Sequence, residues 1–90
     1  MAFLTGMFEG DFDAFKQQFD SDQLGRKQVA KGHVMLRGVD NPNEIFVRVE
    51  FESVEGARSF QEKVRGSDVL RNVTVRVPPT VTEMVDRATY

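Results

Sequence analysis

Apolar residues recur along this chain with two different periods, and the switches between them divide it into segments. Phe3 to Phe8 is a run of apolar or small residues closed by Glu9, Gly10 and Asp11. It predicts a first strand, with Asp11 as N-cap of the helix that follows. Phe12, Phe15 and Phe19 come next at spacings of three and four, while Asp13, Lys16, Gln17, Gln18 and Asp20 take the other positions. That spacing puts three rings on one helical face, directed at a core. Ser21 to Ala30 carries Gly25 and mixed charges and reads either as a short second helical piece or as a loop.

The period then changes to two. His33 to Arg37 and Glu44 to Phe51 flank Gly38-Val39-Asp40-Asn41-Pro42-Asn43, a cluster of turn formers, which predicts a β-hairpin. In its second run Ile45, Val47, Val49 and Phe51 alternate with Glu44, Phe46, Arg48 and Glu50. One sheet face is therefore uniformly apolar and the other mixed. Ser53 caps an amphipathic helix whose buried stripe is Val54, Ala57, Phe60 and Val64, with Lys63, Arg65 and Gly66 at its end. Ser67 and Asp68 cap one further turn carrying Val69 and Leu70. Val73, Val75 and Val77 then alternate until Pro78-Pro79 rules out central pairing, and Thr80 to Asp86 reads as the last strand. The order strand, helix, strand, strand, helix, strand predicts an α+β, ferredoxin-like βαββαβ fold. It has a four-stranded antiparallel sheet with helices on one face, and residues 1–90 form one such domain.

Pairing Arg37 with Glu44 across the hairpin would put Met35 opposite Phe46 and His33 opposite Arg48, all on the face away from Ile45 and Val47. Met35 and Phe46 would then be exposed apolar residues on a sheet that the helices leave uncovered. A chain of 90 residues is also at a size where association commonly supplements a small core. Both points predict a symmetric homodimer with Met35 and Phe46 in its interface.

With the hairpin and the helix after it in view, the run from Arg37 through Asp40-Asn41-Pro42-Asn43-Glu44 to Val47, continued by Val49-Glu50-Phe51 and by Ser53 to Phe60, resembles the dimeric α/β-barrel superfamily that includes antibiotic biosynthesis monooxygenases. Pro78-Pro79-Thr80-Val81 and Ala88-Thr89-Tyr90 are similar to an uncharacterised bacterial subgroup of it. The resemblance spans about residues 32 to 90. It implies that two sheets pack face to face into a dimeric α/β barrel with helices outside, leaving a ligand cleft between helices and sheet in each subunit. Activities across the superfamily differ, so the resemblance implies fold more than chemistry. The haem-degrading members depend on a Trp and a helix-borne His. This chain has no Trp, and its one His falls on a predicted strand.

Composition narrows the function further. Twelve Lys and Arg stand against fourteen Asp and Glu, a net charge of −2, so no basic excess exists to neutralise phosphates and nucleic acid is not an expected partner. Phe46-Val47-Arg48-Val49-Glu50-Phe51 faintly resembles the stacking strand of RNA-recognition domains, but Glu50 and the missing preceding glycines argue against base stacking. Absence of cysteine excludes disulfides, thiolate zinc sites and a cysteine nucleophile. Asp20-Ser21-Asp22-Gln23-Leu24-Gly25 imitates the start of a calcium loop, yet Leu24 stands at a ligand position and Lys31 where a bidentate Glu is needed. No metal or cofactor is expected. Met1-Ala2-Phe3-Leu4 is too short for a leader or membrane core, and the expected location is the cytoplasm, with no membrane partner.

The chemistry-bearing candidates are few. His33 alone has an ordinary pKa near neutrality, so it is the default general base, and Glu50 is its carboxylate counterpart. A strand histidine held in an interface is the structural alternative. Arg48, Phe15, Phe60 and Tyr90 are candidates to bind a small apolar or aromatic ligand, although phenylalanine at helical spacing is more often ordinary core. Tyr90 at the C-terminus would pack onto the neighbouring subunit. The resulting expectation is a homodimer that interacts with partners or binds a small ligand. Its alternative is a cofactor-independent monooxygenase-like enzyme acting on an aromatic or polyketide-like substrate.

Overall fold

A computed structural model describes residues 1–90. The elements run β1 (Ala2–Glu9), α1 (Phe12–Asp20), α2 (Arg26–Val29), β2 (Gly32–Arg37), β3 (Glu44–Phe51), α3 (Val54–Arg65) and β4 (Thr74–Glu83). The four strands form one antiparallel sheet in the order β2-β3-β1-β4. This is the α+β, ferredoxin-like arrangement, with β1 and β3 at the centre and both edges, β2 and β4, supplied by the strands that follow the helical crossovers.

Local chemistry explains the helix starts. Asp11 accepts a hydrogen bond from the Ala14 amide at 2.9 Å, and Ser53 accepts one from the Gly56 amide at 3.1 Å. Each satisfies an amide that the first helical turn leaves without a partner. Gly25 precedes α2 with φ +73°, a left-handed conformation that glycine adopts without a Cβ penalty. The chain thereby turns from the end of α1 into a single helical turn.

Alternation along β1 and β3 builds the core. Leu4, Phe8, Ile45, Val47, Val49 and Phe51 all point to the helix side and are buried, and Phe15, Ala57 and Phe60 cover them from α1 and α3. Phe8 stacks on Phe15 with ring centroids 5.6 Å apart, and Phe51 meets Phe60 at 5.7 Å. Phe12 and Phe19 pack at the margin of this cluster, so all three α1 rings serve the core as their spacing predicts.

The hairpin register differs from the predicted one by a single residue. Arg37 pairs with Ile45, Leu36 with Phe46, Met35 with Val47, Val34 with Arg48 and His33 with Val49. Side chains alternate with period two, so this shift exchanges the faces of the whole strand. Met35 lies on the core side and packs against the cluster, which corrects its placement on the outer face. Val34 and Leu36 stand there in its stead. The reason lies in the loop: Glu44 donates its amide to the Asn41 carbonyl at 3.0 Å, Gly38 donates to the Glu44 carbonyl at 3.0 Å, and the Asn41 side chain accepts from the Asn43 amide at 3.1 Å. These bonds tie Glu44 back to Asn41 and Gly38 and leave Ile45, the next residue of β3, to pair with Arg37.

β4 also departs from expectation. It is one ten-residue strand that runs through Pro78-Pro79, ends at Glu83 and accommodates the prolines with register shifts against β1. As an edge strand it has a free side where missing amide donors are tolerated. No helix is long and apolar enough to cross a membrane.

Candidate functional site

A cleft opens where the helices fail to close over the sheet. Its floor is Leu4, Gly6, Val47 and Val49, and its walls come from α1, the segment leading into α2, α3 and the turn after α3. Phe15 and Phe60 line it, as do Leu24, Val64 and Leu70. The space amounts to about 100 Å³. An enclosed cavity of about 150 Å³ can hold benzene, so a ligand here would place only part of its apolar surface inside and extend through the open side. Eleven of the seventeen lining residues are hydrophobic, which makes apolar matter the natural content. Gly6 keeps the floor low: a Cβ there would lie 2.7 Å from the Phe8 ring.

Against this apolar wall sits one buried charge. Arg26, at 6% exposure, also lines the cleft. Its guanidinium lies 3.6 Å from the centre of the Phe19 ring, and its Nη1 donates to the Phe19 carbonyl at 2.9 Å. Asp22 approaches Nη1 to 4.0 Å. Burial lowers the Arg26 pKa, and the negative charges of Asp22 and Asp20 work in the opposite direction. The side chain remains a cation throughout the physiological range.

His33 meets the same Phe19 ring edge-on, with centroids 4.8 Å apart. Its pKa lies below the ordinary value because burial disfavours the cation; the nearby Arg26 charge adds to this while Asp20 opposes it. His33 therefore stands on the helix side of the sheet, beside Arg26, Lys27 and Lys31 in a shallow polar recess. The register shift explains its separation from Arg48. Arg48 and Glu50 occupy the outer face, where Arg48 lies 5.3 Å from the centre of the Phe3 ring and Glu50 pairs across from Phe3 and Gly32. Neither forms an ion pair within the subunit. His33 and Glu50 do not converge on one centre.

Of the predicted ligand contacts, Phe15 and Phe60 are brought together in the cleft, whereas Arg48 is on the opposite side of the sheet. Tyr90 is fully exposed beyond the end of β4. Phe46 does face outward as expected, flanked by Leu36 on β2 and Met7 on β1. Arg26 escaped the sequence reading because a cation in a mixed-charge segment normally faces water. No local pattern in the sequence marks its burial, which depends on the turn at Gly25 and the ring of Phe19. Nowhere do three or more His, Asp or Glu side chains converge as a metal-ligating group.

The chain matches no family model and no curated protein. Its structure does match that of a candidate antibiotic biosynthesis monooxygenase from Deinococcus radiodurans, with a TM-score of 0.70, 12% identity, and coverage of 100% of this chain and 98% of that one. The protein thus shares, over its whole described length, the fold to which the hairpin and helix motifs pointed.

Proposed function

We propose that this protein is a homodimer, joined through the outer faces of two sheets, that binds a small apolar or aromatic ligand in the helix-to-sheet cleft of each subunit. The observation that carries the ligand reading is the cleft itself, an apolar pocket lined by buried core side chains yet left open by the helices. Dimerisation draws on the opposite face, where Val34, Leu36, Phe46 and Val77 are exposed and no helix covers them. Exposed apolar surface of this kind, ringed by polar groups such as the Thr5–Thr82 hydroxyl pair at 3.0 Å and the Glu9–Arg76 ion pair, is the composition of a protein interface. Tyr90 belongs to the same reading, as a side chain free to pack on the neighbouring subunit.

A native mass spectrum of gently purified protein tests both parts together. The expected species is a dimer carrying extra mass, and that mass should be lost when Val64→Trp fills the cleft. A bare monomer in every condition would sink the assembly, and a dimer that takes up no apolar compound would sink the ligand reading.

A second reading is favoured by the shared fold with the Deinococcus radiodurans protein: a cofactor-independent oxygenase acting on an aromatic or polyketide-like substrate. His33, edge-on to Phe19 at the cleft wall, is its base, whereas Glu50 and Arg48 on the outer face and the exposed Tyr90 stand outside this cleft. Oxygen uptake with a polyphenolic probe is the measurement. Turnover that persists in His33→Ala would reject this assignment.

A further inference from the structure

Arg26 is too well positioned, and too little used, to be only a structural side chain. A guanidinium offers five N–H donors in a planar fork. One of its nitrogens is bonded to the Phe19 carbonyl, where a cation suits the C-terminal end of α1, and Asp22 at 4.0 Å is beyond hydrogen-bond distance. The other donors have no protein partner. Every fully buried side-chain nitrogen and oxygen in the molecule is satisfied, so the unbonded guanidinium nitrogens keep a share of accessible surface, although the residue as a whole is nine-tenths buried. Desolvating a cation this far is costly unless a counter-charge completes it.

The Asp22 carboxylate is already engaged at the start of α2, accepting from the Lys27 amide at 3.3 Å, and Lys16 pairs with Asp20 at 2.6 Å. Among these groups, the cations Lys16, Arg26 and Lys27 outnumber the carboxylates Asp20 and Asp22 by one. Its position over the Phe19 ring at 3.6 Å and its bond to the Phe19 carbonyl hold the Arg26 guanidinium before any ligand arrives. Pre-organisation of that kind suits bidentate capture of a carboxylate.

Resting on the cleft as a ligand site, we propose that its ligand is an apolar or aromatic organic acid, with the ring or chain among Phe15, Val47 and Phe60 and the carboxylate on the free edge of the Arg26 guanidinium. This sets the chemical class of the ligand: one anionic head on an apolar body, against neutral hydrocarbons or polar sugars. Asp22, 4.0 Å from the guanidinium and in the same cleft wall, opposes any anion and a dianion more than a monoanion, so a single carboxylate is preferred.

The test is an amide-resolved NMR titration of the native protein with phenylpropionate and with its neutral isostere phenylpropionamide. Phenylpropionate is expected to shift the Gly6, Leu24 and Arg26 amides and to bind about tenfold tighter than the amide. Arg26→Gln should erase that preference, with a melting profile confirming that the variant is folded, and Arg26→Lys should keep part of it. Equal binding of the two probes to the native protein, or an undiminished preference in Arg26→Gln, would overturn the anion anchor while leaving the cleft reading intact. Should Arg26→Gln not fold, the native ratio and the Arg26→Lys ratio decide. Shifts from neither probe at the cleft amides would overturn both readings together.

Discussion

The two faces of the sheet are built from the same strands and end in opposite states. On β3 the inner residues Ile45, Val47, Val49 and Phe51 are exposed by no more than 7%, whereas Phe46, their neighbour in the chain, is exposed by 36% and Leu36 beside it by 59%. Phe3 is the exception on the outer side, buried outside the main cluster beside Arg48. The contrast separates two uses of apolar residues. Those under α1 and α3 hold the subunit together, and those on the bare side are available to something outside it.

Four expected outcomes test that division, beginning with the largest. Phe51→Ala removes a fully buried ring that touches Phe60, and should cost about 3–5 kcal/mol in chemical denaturation. A cost as small as that of a surface change would mean that the inner face is not the main source of stability. Phe46→Lys should leave the unfolding of the subunit within about 0.5 kcal/mol of the parent. In the proposed dimer it should also weaken association by about a hundredfold in analytical ultracentrifugation, as expected for a central aromatic contact. Comparable subunit destabilisation by both substitutions would erase the distinction between the faces.

Ser53→Ala removes the side-chain cap of the helix that covers the inner face, and should cost about 1 kcal/mol in thermal or chemical unfolding. Its effect should not reach the dimer. The smallest effect concerns His33 at the margin of that face. Its folded pKa is lowered below the ordinary 6.5, so the unfolded chain binds the proton more readily. Stability is therefore at full value above about pH 6.5 and falls as pH drops from there to the folded pKa, below which this contribution is constant. The histidine ring resonances should titrate with a midpoint below 6.5, and His33→Gln should flatten the melting profile across that window.

The same contrast explains what could be read in advance. Strand β3 and helix α3 were legible because their apolar residues follow one period without competition, and Asp11 and Ser53 were legible as caps because few residue types satisfy a helix start. Strand β2 was not: Val34, Met35 and Leu36 are all apolar, so alternation favours neither register. The decision fell to hydrogen bonds at Asn41, Asn43 and Glu44. One position of error there moved Met35 and His33 to the wrong side and made His33, Arg48 and Glu50 look like a cluster. Phe15 and Phe60 were found for the cleft because core and cleft share the same stripe. Arg26 was not, since its burial depends on the turn at Gly25 and the ring of Phe19, which no local pattern encodes.

The adjacent prolines of β4 make the two borders of the sheet unequal. Two of the ten residues of that strand carry no amide hydrogen, and the ladder around them is irregular, so an extended peptide approaching this border meets a broken template. The opposite border, Gly32–Arg37, has no proline and a regular register with β3. Strand addition by a foreign peptide, or end-to-end growth of partly unfolded chains, would therefore proceed in one direction, from β2 outward.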